Sequence, residues 1–421
     1  MIESVDVVII GAGQAGLATS HELGAQGIEH VVLERARVGE SWRSNRWDSF
    51  TLVTPNWTVQ LPGFGYQGGD PDGFMGRDEV ISHLEAYRAS FSPPMRLGTS
   101  VTRVEVGDNA FIVETERGKI QAHAVVVATG SYGKPRLPAV SSEVPDRIVQ
   151  LHSSRYRNPA QLPDGAALVV GTGQSGVQIA EELHEAGRRL FVSVSGCPRL
   201  PRRYRGMDIV WWAKTLGLFE RTVDTLENPA EKRACHPQGT GRRRGHDIDL
   251  RKLAREGVTL AGKVVALADL SFRIAPDLAD NMRRADEFAE KTLSQLDQAV
   301  AKLPMPLPDD QNRRGLGEPV AAELNPLGEL NLELAGITSI VWATGYRPDF
   351  SVVRAPVFDH AGEPLHRRGI TETPGLYFVG LEWLYKPKSG LLLGVGEDAG
   401  HIASAIAARS KSRQTAKEAS R

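Results

Sequence analysis

The same glycine phrase occurs twice in this chain. GAGQAG at residues 11–16 and GTGQSG at residues 171–176 each follow an apolar run and precede a helix-like segment. In such a phrase the first glycine permits a tight strand-to-helix turn, the second lets the backbone approach a pyrophosphate, and the third lets the helix pack on the strand. The helix N-terminus offers the pyrophosphate free N–H groups and the positive end of the helix dipole. The repeat therefore predicts two βαβ units, each able to hold a dinucleotide.

The first copy has the acidic residue that completes a dinucleotide fingerprint. The next apolar run, HVVLE, ends at Glu34, whose carboxylate can accept a hydrogen bond from a ribose 2′-hydroxyl. The alternative interpretation is a glycine-rich turn followed by an exposed glutamate. The predicted contacts of the first site are Gly11, Gly13, Gln14, Ala15, Gly16, Glu34 and Arg35.

The second copy lacks that acidic residue. The strand after it ends at Ser195 and is followed by Arg199, Arg202, Arg203 and Arg205. A carboxylate would repel a 2′-phosphate, whereas hydroxyl and guanidinium groups can bind one, so this site favours NADP(H) over NAD(H). The alternative is that the arginines form a solvated face. The predicted contacts of the second site are Gly171, Gly173, Gln174, Ser175, Gly176, Ser195, Arg199 and Arg202.

The composition argues against several other classes of protein. The 421 residues carry a formal net charge of −1 without a dominant basic block, so no nucleic-acid partner is expected. No motif typical of a metal site is present. Cys197 and Cys235 form no CxxC, which fits a reducing compartment, excludes a dithiol relay and suggests no special role for either cysteine. The absence of a secretory signal and of a long apolar stretch predicts a cytoplasmic protein without membrane insertion.

Two dinucleotide sites of different preference imply that a nicotinamide reduces a flavin. The stretch VGESWRSNRWDSFTLVTP at residues 38–55, the two fingerprints and two strands that end in ATG together resemble the class B flavoprotein monooxygenases. The resemblance is strongest to the YUCCA-like and bacterial flavin-containing monooxygenase-like branch, which includes bacterial flavoproteins named for potassium transport. It extends to about Ala408.

The resemblance and the repeated pattern together predict an α/β fold with two Rossmann-like domains. An FAD-binding domain at residues 1–160 and 336–405 is interrupted by an NADP(H)-binding domain at residues 161–335, which carries a helical insertion at about 205–330. Residues 409–421 are polar and are expected to be a disordered tail. The resemblance implies further cofactor contacts at Gly39, Trp42, Arg43, Val101, Ala128, Thr129, Gly130, Ala343, Thr344, Gly345, Tyr346 and Gly380.

The activity that the resemblance implies is monooxygenation. NADPH reduces FAD, O2 adds at the flavin C4a atom, and the resulting hydroperoxide transfers one oxygen atom to a small organic substrate. An amine, a sulfide, a ketone and a 2-oxo acid all remain open as the acceptor, and the oligomeric state is also open. Two alternatives remain: an NADPH:flavin reductase or oxidase that releases H2O2, and a redox-sensing regulatory or cation-transport accessory protein that binds dinucleotides.

Two residues are candidates for a direct role in the chemistry. His152 and Tyr156 match part of the family's F-x-G-x-x-x-H-x-x-x-F/Y phrase, although Asp146 and Ile148 stand at its Phe and Gly positions. A structural histidine that bonds the backbone is an equal alternative for His152. Asn56 lies one residue from the position of the family's asparagine near the reactive flavin carbon. Four aromatic residues could line a substrate pocket or belong to the core: Trp211, Trp212, Trp383 and Tyr385.

Overall fold

The computed structural model describes residues 2–302 and 317–419. Its first domain is built on a sheet of ten strands, and the continuous apolar runs of the sequence form the buried central ones, because both faces of the sheet are covered. The strands are β1 Glu3–Ile10, β2 His30–Leu33, β5 Met95–Arg96, β6 Val101–Val106, β7 Phe111–Thr115, β8 Gly118–Val127, β21 Val353–Arg354, β22 His366–Arg367, β23 Ile370–Thr371 and β24 Leu376–Phe378.

At the centre of this sheet β1 lies parallel to β2 on one side and to β8 on the other. Before the first ATG, β7 and β8 form an antiparallel hairpin. The helices of this domain are α1 Gln14–Ala25, α2 Glu40–Ser44, α3 Arg77–Phe91 and α9 Val395–Ala419. Helices α1 and α9 pack on each other, and their apolar residues join β1 in one core cluster.

The second domain is built on a five-stranded parallel sheet in the order β10, β19, β11, β12, β15. These strands are β10 Val149–His152, β11 Ala166–Val170, β12 Leu190–Ser193, β15 Thr259–Ala261 and β19 Ile337–Trp342. Helix α4 Gln174–Glu185 connects β11 to β12. Strands β10 and β19 lie outside the predicted boundaries of this domain, 161–335, so that both edges of the prediction need correction.

The segment predicted as a helical insertion is of mixed structure. Its helices are α5 Ile209–Thr215, α6 Leu250–Arg255, α7 Leu278–Val300 and α8 Ala321–Leu324. An antiparallel sheet is formed by β16 Val264–Ala268, β17 Ser271–Ile274 and β18 Glu329–Asn331, and a hairpin by β13 Arg203–Tyr204 and β14 Met207–Asp208. The prediction of a helical insertion was therefore wrong for its strands, including β15 of the second sheet. The proline-rich stretch LPMPLPDD at residues 303–310 lies outside the described residues.

Two short strand pairs complete the structure. Strands β3 Gln60–Leu61 and β4 Phe64–Gly65 form one, and β9 Lys134–Pro135 pairs with β20 Tyr346–Arg347, so that the chain leaving the first ATG lies beside the chain leaving the second. The predicted disordered tail was wrong as far as residue 419, because α9 continues to Ala419. Among residues 2–302 and 317–419, no helix has the length and apolar character needed to cross a membrane.

Candidate dinucleotide-binding sites

The turn between β1 and α1 is closely packed at two of its three glycines. Gly11 has a left-handed φ of +106°, and a Cβ there would lie 2.8 Å from the carbonyl oxygen of Ala128. A Cβ on Gly16 would lie 1.8 Å from the carbonyl oxygen of Gly11. Gly13 differs, because a Cβ built on it would meet nothing within 4 Å. Gly13 therefore leaves the N-terminus of α1 open to a ligand.

The turn between β11 and α4 repeats this geometry. Gly171 has a φ of +104°, and its added Cβ would lie 2.6 Å from the carbonyl oxygen of Ala343. A Cβ on Gly176 would lie 2.0 Å from the carbonyl oxygen of Gly171. Each ATG thus begins with an alanine whose carbonyl packs against the first glycine of a fingerprint. The sequence showed both repeats but gave no sign that each ATG contacts one of the glycine turns.

A side chain beyond the second strand accepts a hydrogen bond from the glycine turn in both sites, but its charge differs, and Ser195 lies one residue further from its strand than Glu34 does. The buried Glu34 carboxylate accepts hydrogen bonds from the N–H groups of Ala12 at 2.8 Å and Ala36 at 2.9 Å. In the second site the hydroxyl of Ser195 accepts from the N–H group of Thr172 at 3.1 Å. Glu34 retains lone pairs that can accept from ribose hydroxyls, whereas Ser195 places no negative charge near a 2′-phosphate.

The predicted arginines at the second site are engaged with the protein. Arg199 pairs with the buried Asp286 but keeps about a quarter of its side chain exposed, at 26%. Arg202 is 5% exposed; its Nε donates to Asp208 at 2.8 Å and its Nη1 to the carbonyl of Val53 at 2.7 Å. Burial lowers the pKa of Arg202, against the opposing effect of Asp208.

The environment of Arg202 favours a structural role over its predicted role as a phosphate ligand. Its guanidinium also lies over the ring of Phe74, 4.4 Å from the centroid. Val53 and Phe74 belong to the first domain, so Arg202 connects the two domains. Arg203 and Arg205 are likewise bonded to neighbouring protein atoms, at Gly245 and Tyr204 respectively.

Several predicted contacts of the first site converge on its glycine turn. The Gln14 amide accepts a hydrogen bond from the Trp42 indole N–H at 3.1 Å and donates to the Gly390 carbonyl at 3.3 Å. Gly39, with φ +65°, donates its N–H to Ala12, which fixes the start of α2 against the turn. A Cβ on Gly380 would lie 2.4 Å from the Cβ of Ala15. These distances bring the Gly39-x-x-Trp42 element and the segment after β24 to the first fingerprint.

Other predicted contacts lie farther along the same elements. Arg43 in α2 is bonded to the Val38 carbonyl at 3.2 Å and to Glu85 at 2.8 Å. Arg35 is exposed just after β2, and Val101 begins β6. Five residues of the ATG segments are at least partly exposed: Thr129, Gly130, Ala343, Thr344 and Gly345. Ser175 is partly exposed in the first turn of α4.

An arginine that the sequence did not single out lies among aromatic rings after α2. The Arg46 guanidinium is 5.2 Å from the ring centroid of Trp42 and 5.5 Å from those of Phe50 and Tyr132. The Tyr132 hydroxyl donates to Glu382 at 2.6 Å. Because Tyr132 follows the first ATG, this cluster links α2 to the strand end that supports the first fingerprint. Trp42, Arg46 and Phe50 are close in sequence, but Tyr132 and Glu382 are distant from them, so local sequence gave no signal for the whole cluster.

His152 is hydrogen-bonded to protein atoms through both nitrogen atoms of its ring. Its Nδ1 atom accepts from the N–H group of Ser154 at 3.2 Å, and its Nε2 atom donates to the Gly345 carbonyl at 2.9 Å. Burial lowers its pKa, and the bond to Gly345 only partly opposes this effect. The ring also packs edge-on against Tyr346, with centroids 4.8 Å apart. His152 therefore holds the second ATG through its bond to Gly345, and its direct role in the chemistry stays a prediction.

Asn56 is also occupied by the protein. Its Oδ1 atom accepts from the N–H group of Met75 at 2.7 Å, and its Nδ2 atom donates to the Asp70 carbonyl at 2.9 Å. The side chain is buried. Asn56 thus fastens the loop at residues 70–75, and its direct role in the chemistry stays a prediction.

Three of the four aromatic residues contact other groups of the protein, and the fourth, Trp383, is partly buried. Trp212 is fully buried and donates its indole N–H to the Tyr204 carbonyl at 2.8 Å, so it belongs to the core. Trp211 packs edge-on against it. Tyr385 lies under the guanidinium of Arg368, 4.4 Å from the ring centroid. In the part of the chain that the structure describes, no group of three or more acidic, His or Cys residues could hold a metal ion.

The two cysteines, predicted to have no special role, are paired. Cys197 and Cys235 form a disulfide with their Cα atoms 5.5 Å apart. Both sulfur atoms lie 3.8 Å from the Cβ position of Gly173, the open glycine of the second fingerprint. Their separation of 38 residues along the chain gave no CxxC signal. The expectation of two unremarkable thiols was therefore wrong.

Comparisons with known proteins agree with this geometry. Residues 8–205 match the family described as pyridine nucleotide-disulphide oxidoreductase. An uncharacterized CzcO-like oxidoreductase of Geobacillus kaustophilus is 34% identical over 401 residues, covering 94% of this chain and 97% of that protein. The indole-3-pyruvate monooxygenase YUCCA1 of Oryza sativa is 30% identical over 206 residues, which cover 48% of this chain and 50% of that protein.

The fold has a match among solved structures. A mutant of the flavin monooxygenase from Stenotrophomonas maltophilia superposes with a TM-score of 0.67 at 19% identity, covering 97% of this chain and 100% of that one. The two-domain α/β architecture predicted from the sequence is thereby confirmed, with strands β10 and β19 reassigned as described above.

Proposed function

Because the chain belongs to the CzcO-like oxidoreductases, which are class B flavoprotein monooxygenase-like enzymes, we propose that it is an FAD- and NADPH-dependent monooxygenase. It transfers one oxygen atom of O2 to a small organic substrate. The other oxygen atom leaves as water. The names of its relatives, which include a rice indole-3-pyruvate monooxygenase and a Streptomyces coelicolor Baeyer-Villiger monooxygenase, support this class of reaction.

One observation carries the proposal: the same open glycine turn occurs twice, with opposite electrostatics beside it. Gly13 and Gly173 add no side chain at the N-terminus of their helices, which fits the pyrophosphate of a dinucleotide, although the disulfide sulfur atoms lie 3.8 Å from the Cβ position of Gly173. Glu34 suits the unmodified ribose of FAD, and the neutral Ser195 suits the 2′-phosphate of NADP(H). Two different dinucleotides held side by side favour hydride transfer from one to the other.

FAD, when bound, supplies the acceptance of a hydride and the activation of O2. The chain would supply binding and orientation. Glu34 and the turn at Gly13 would hold FAD, while Ser195 and the turn at Gly173 would hold NADP(H). His152 maintains the second ATG in place by its bond to Gly345, a role that needs no proton transfer.

The experiment that tests the proposal is aerobic turnover of the FAD-loaded protein with NADPH under ¹⁸O2. A panel containing an amine, a sulfide, a ketone and a 2-oxo acid covers the acceptors that the sequence left open. We expect one of them to raise NADPH consumption and to yield a product with one ¹⁸O atom. NADPH consumption matched by H2O2 for every compound would identify an oxidase instead, and the absence of turnover with all of them would favour a dinucleotide sensor.

A further inference from the structure

The disulfide lies where the second fingerprint must accept its ligand. Its sulfur atoms are in van der Waals range of the Cβ position of Gly173. Because Gly173 has no side chain, the backbone at this residue can approach a pyrophosphate. We propose that the Cys197–Cys235 pair is a reversible thiol–disulfide modification site that sets the affinity for NADP(H). This inference rests on the proposed function, because it takes NADP(H) to be the ligand of the second fingerprint.

The disulfide fastens a strap, defined as residues 235–239, across the start of α4. The Gln238 backbone N–H donates to the Pro198 carbonyl at 2.8 Å, and its side chain donates to the Thr172 carbonyl at 2.9 Å. From α4, Gln174 donates to Pro237 at 3.2 Å and Gln178 donates to Gly239 at 2.9 Å. Thr172 and Gln174 belong to the second fingerprint, so the strap contacts the same residues that would contact the nucleotide.

Opening the disulfide removes the covalent tie between the strap and the end of β12. The remaining contacts are single neutral hydrogen bonds, each of which contributes about 1 kcal/mol. A nucleotide with several phosphate contacts can displace such bonds, but it cannot displace a covalent crosslink. The oxidised form therefore binds NADP(H) more weakly than the reduced form.

The two cysteines differ in solvent exposure, and this difference determines which sulfur atom a thiolate attacks. Cys235 is exposed, whereas Cys197 is 7% exposed. A thiolate of a small dithiol attacks the Cys235 sulfur, the S–S bond breaks, and Cys197 leaves as a thiolate. The Ser195 hydroxyl, 3.6 Å from the Cys197 sulfur, and the N-terminus of α4 at Gly173 stabilise that leaving group.

The steps balance in both directions. The second thiol of the reductant attacks the reductant's own sulfur in the mixed disulfide, which forms the reductant's internal disulfide and releases Cys235 as a thiolate, so the dithiol loses two electrons and two protons and both cysteines become thiols. In the reverse direction H2O2 takes two electrons and two protons from the cysteines, which yields the disulfide and two water molecules. H2O2 is the compound that an uncoupled flavin monooxygenase releases, so the oxidant can arise from the proposed function itself.

The test measures the binding of NADP⁺ to the full-length, FAD-loaded protein by titration calorimetry. One sample is treated with H2O2 and then catalase, and another with dithiothreitol that is removed by gel filtration; the crosslinked peptide is verified by mass spectrometry. We expect the Kd for NADP⁺ to be about tenfold lower in the reduced sample, within the range of ordinary coupling between sites. C235S changes an exposed residue, and it should bind as the reduced protein does after either treatment.

Each outcome is informative. Equal Kd values in the two samples, or no linked peptide after peroxide, would overturn the inference and leave the proposed function intact. NADP⁺ binding in neither sample would overturn both. A C235S variant that still responds to peroxide would assign the effect to another residue and would also contradict the inference.

Discussion

The three glycines of each fingerprint have separable tasks. The third glycine, Gly16 or Gly176, packs a helix against the preceding turn, with no room for a Cβ. The second glycine has room for a Cβ: nothing lies within 4 Å of that position at Gly13, and only the two disulfide sulfur atoms, at the ordinary contact distance of 3.8 Å, lie near it at Gly173. Substitution at the second position should therefore affect binding alone, whereas substitution at the third should affect folding.

The first prediction compares G13A with G16A. Gly13 has φ −82°, which alanine adopts readily, so G13A should keep the melting temperature of the wild type but lose most of its FAD. G16A should lose about 1–3 kcal/mol of folding free energy through overpacking. Thermal unfolding and the flavin absorbance of the purified proteins give the two readouts. A G13A protein with full FAD content would contradict the assignment of the first site.

The second prediction concerns the position after the second strand. S195E places a carboxylate on the residue that bonds the Thr172 N–H, as Glu34 bonds the Ala12 N–H in the first site, so it should repel a 2′-phosphate and lower the preference for NADPH over NADH by about tenfold or more. S195A is the matched control, because it removes the hydroxyl without adding charge. The ratio of kcat/KM for the two nucleotides measures the effect. An unchanged ratio in S195E would mean that the 2′-phosphate lies elsewhere.

At the residue scale the sequence indicated which residue types stand at the fingerprint positions, but it did not indicate the burial or the hydrogen-bond partners of individual side chains. Glycines, Glu34 and Ser195 were identified because their roles follow from backbone geometry and from charge at a fixed spacing. Arg202, His152 and Asn56 were assigned chemical roles although each is buried with its polar atoms bonded to protein. Burial and long-range partners depend on tertiary contacts, which a local motif does not contain.

At the scale of elements, apolar patterns located strands without showing which sheet they join. Strand β19 has the same buried character as β8, and both end in ATG. The pattern could not show that β19 lies between β10 and β11. The helical pattern of α7 was recognised correctly, but the short strands β16 and β17 lack the alternation that would have revealed them.

The third prediction concerns the contact between α4 and the loop that precedes α6. His246 is bonded to Glu181 of α4, which raises the pKa of His246. A raised pKa stabilises the fold below the unfolded-state pKa of about 6.5 and loses that effect as the pH rises through the folded value. H246Q should therefore cost more stability at pH 6 than at pH 9, by about 1 kcal/mol or less because the histidine is partly exposed.

Urea unfolding of the wild type and H246Q at the two pH values measures this difference. The variant itself controls for the pH response of all other groups. A loss of stability of the same size at pH 6 and pH 9 would show that the His246–Glu181 contact does not depend on protonation.

At the scale of the whole molecule, side chains join the two domains on both sides of the sites. Arg202 reaches Val53 and Phe74 of the first domain, and Glu220 bonds Lys386 at 2.6 Å and Lys388 at 2.5 Å. The Lys388 side chain is only 9% exposed. These contacts fix the relation of the two fingerprints, which electron transfer between two dinucleotides requires. The sequence predicted both domains but none of the contacts between them.

The fourth prediction separates this structural role of Arg202 from its predicted role at a phosphate. R202K keeps the positive charge but removes the planar guanidinium group. The variant therefore loses the simultaneous hydrogen bonds to Asp208 and to the Val53 carbonyl, and it also loses the stacking on the ring of Phe74. It should reduce the free energy of unfolding by about 1–3 kcal/mol, as expected for a disturbed buried pair. The affinity for NADP⁺ relative to NAD⁺ should stay at the wild-type value. A selective loss of NADP⁺ binding in a fully stable protein would restore the phosphate role.

Anaerobic mixing of the FAD-loaded protein with NADPH tests the central claim most directly, namely that FAD occupies the first fingerprint and NADP(H) the second. We predict that one NADPH reduces, and so bleaches, one oxidised flavin in the wild-type protein whose Cys197–Cys235 disulfide has been opened. G173A should retain its FAD but need a much higher NADPH concentration for the same rate, because a methyl group on Gly173 blocks the approach of the pyrophosphate. Flavin reduction in G173A with the wild-type concentration dependence, or a wild-type protein that takes up no FAD, would contradict the account.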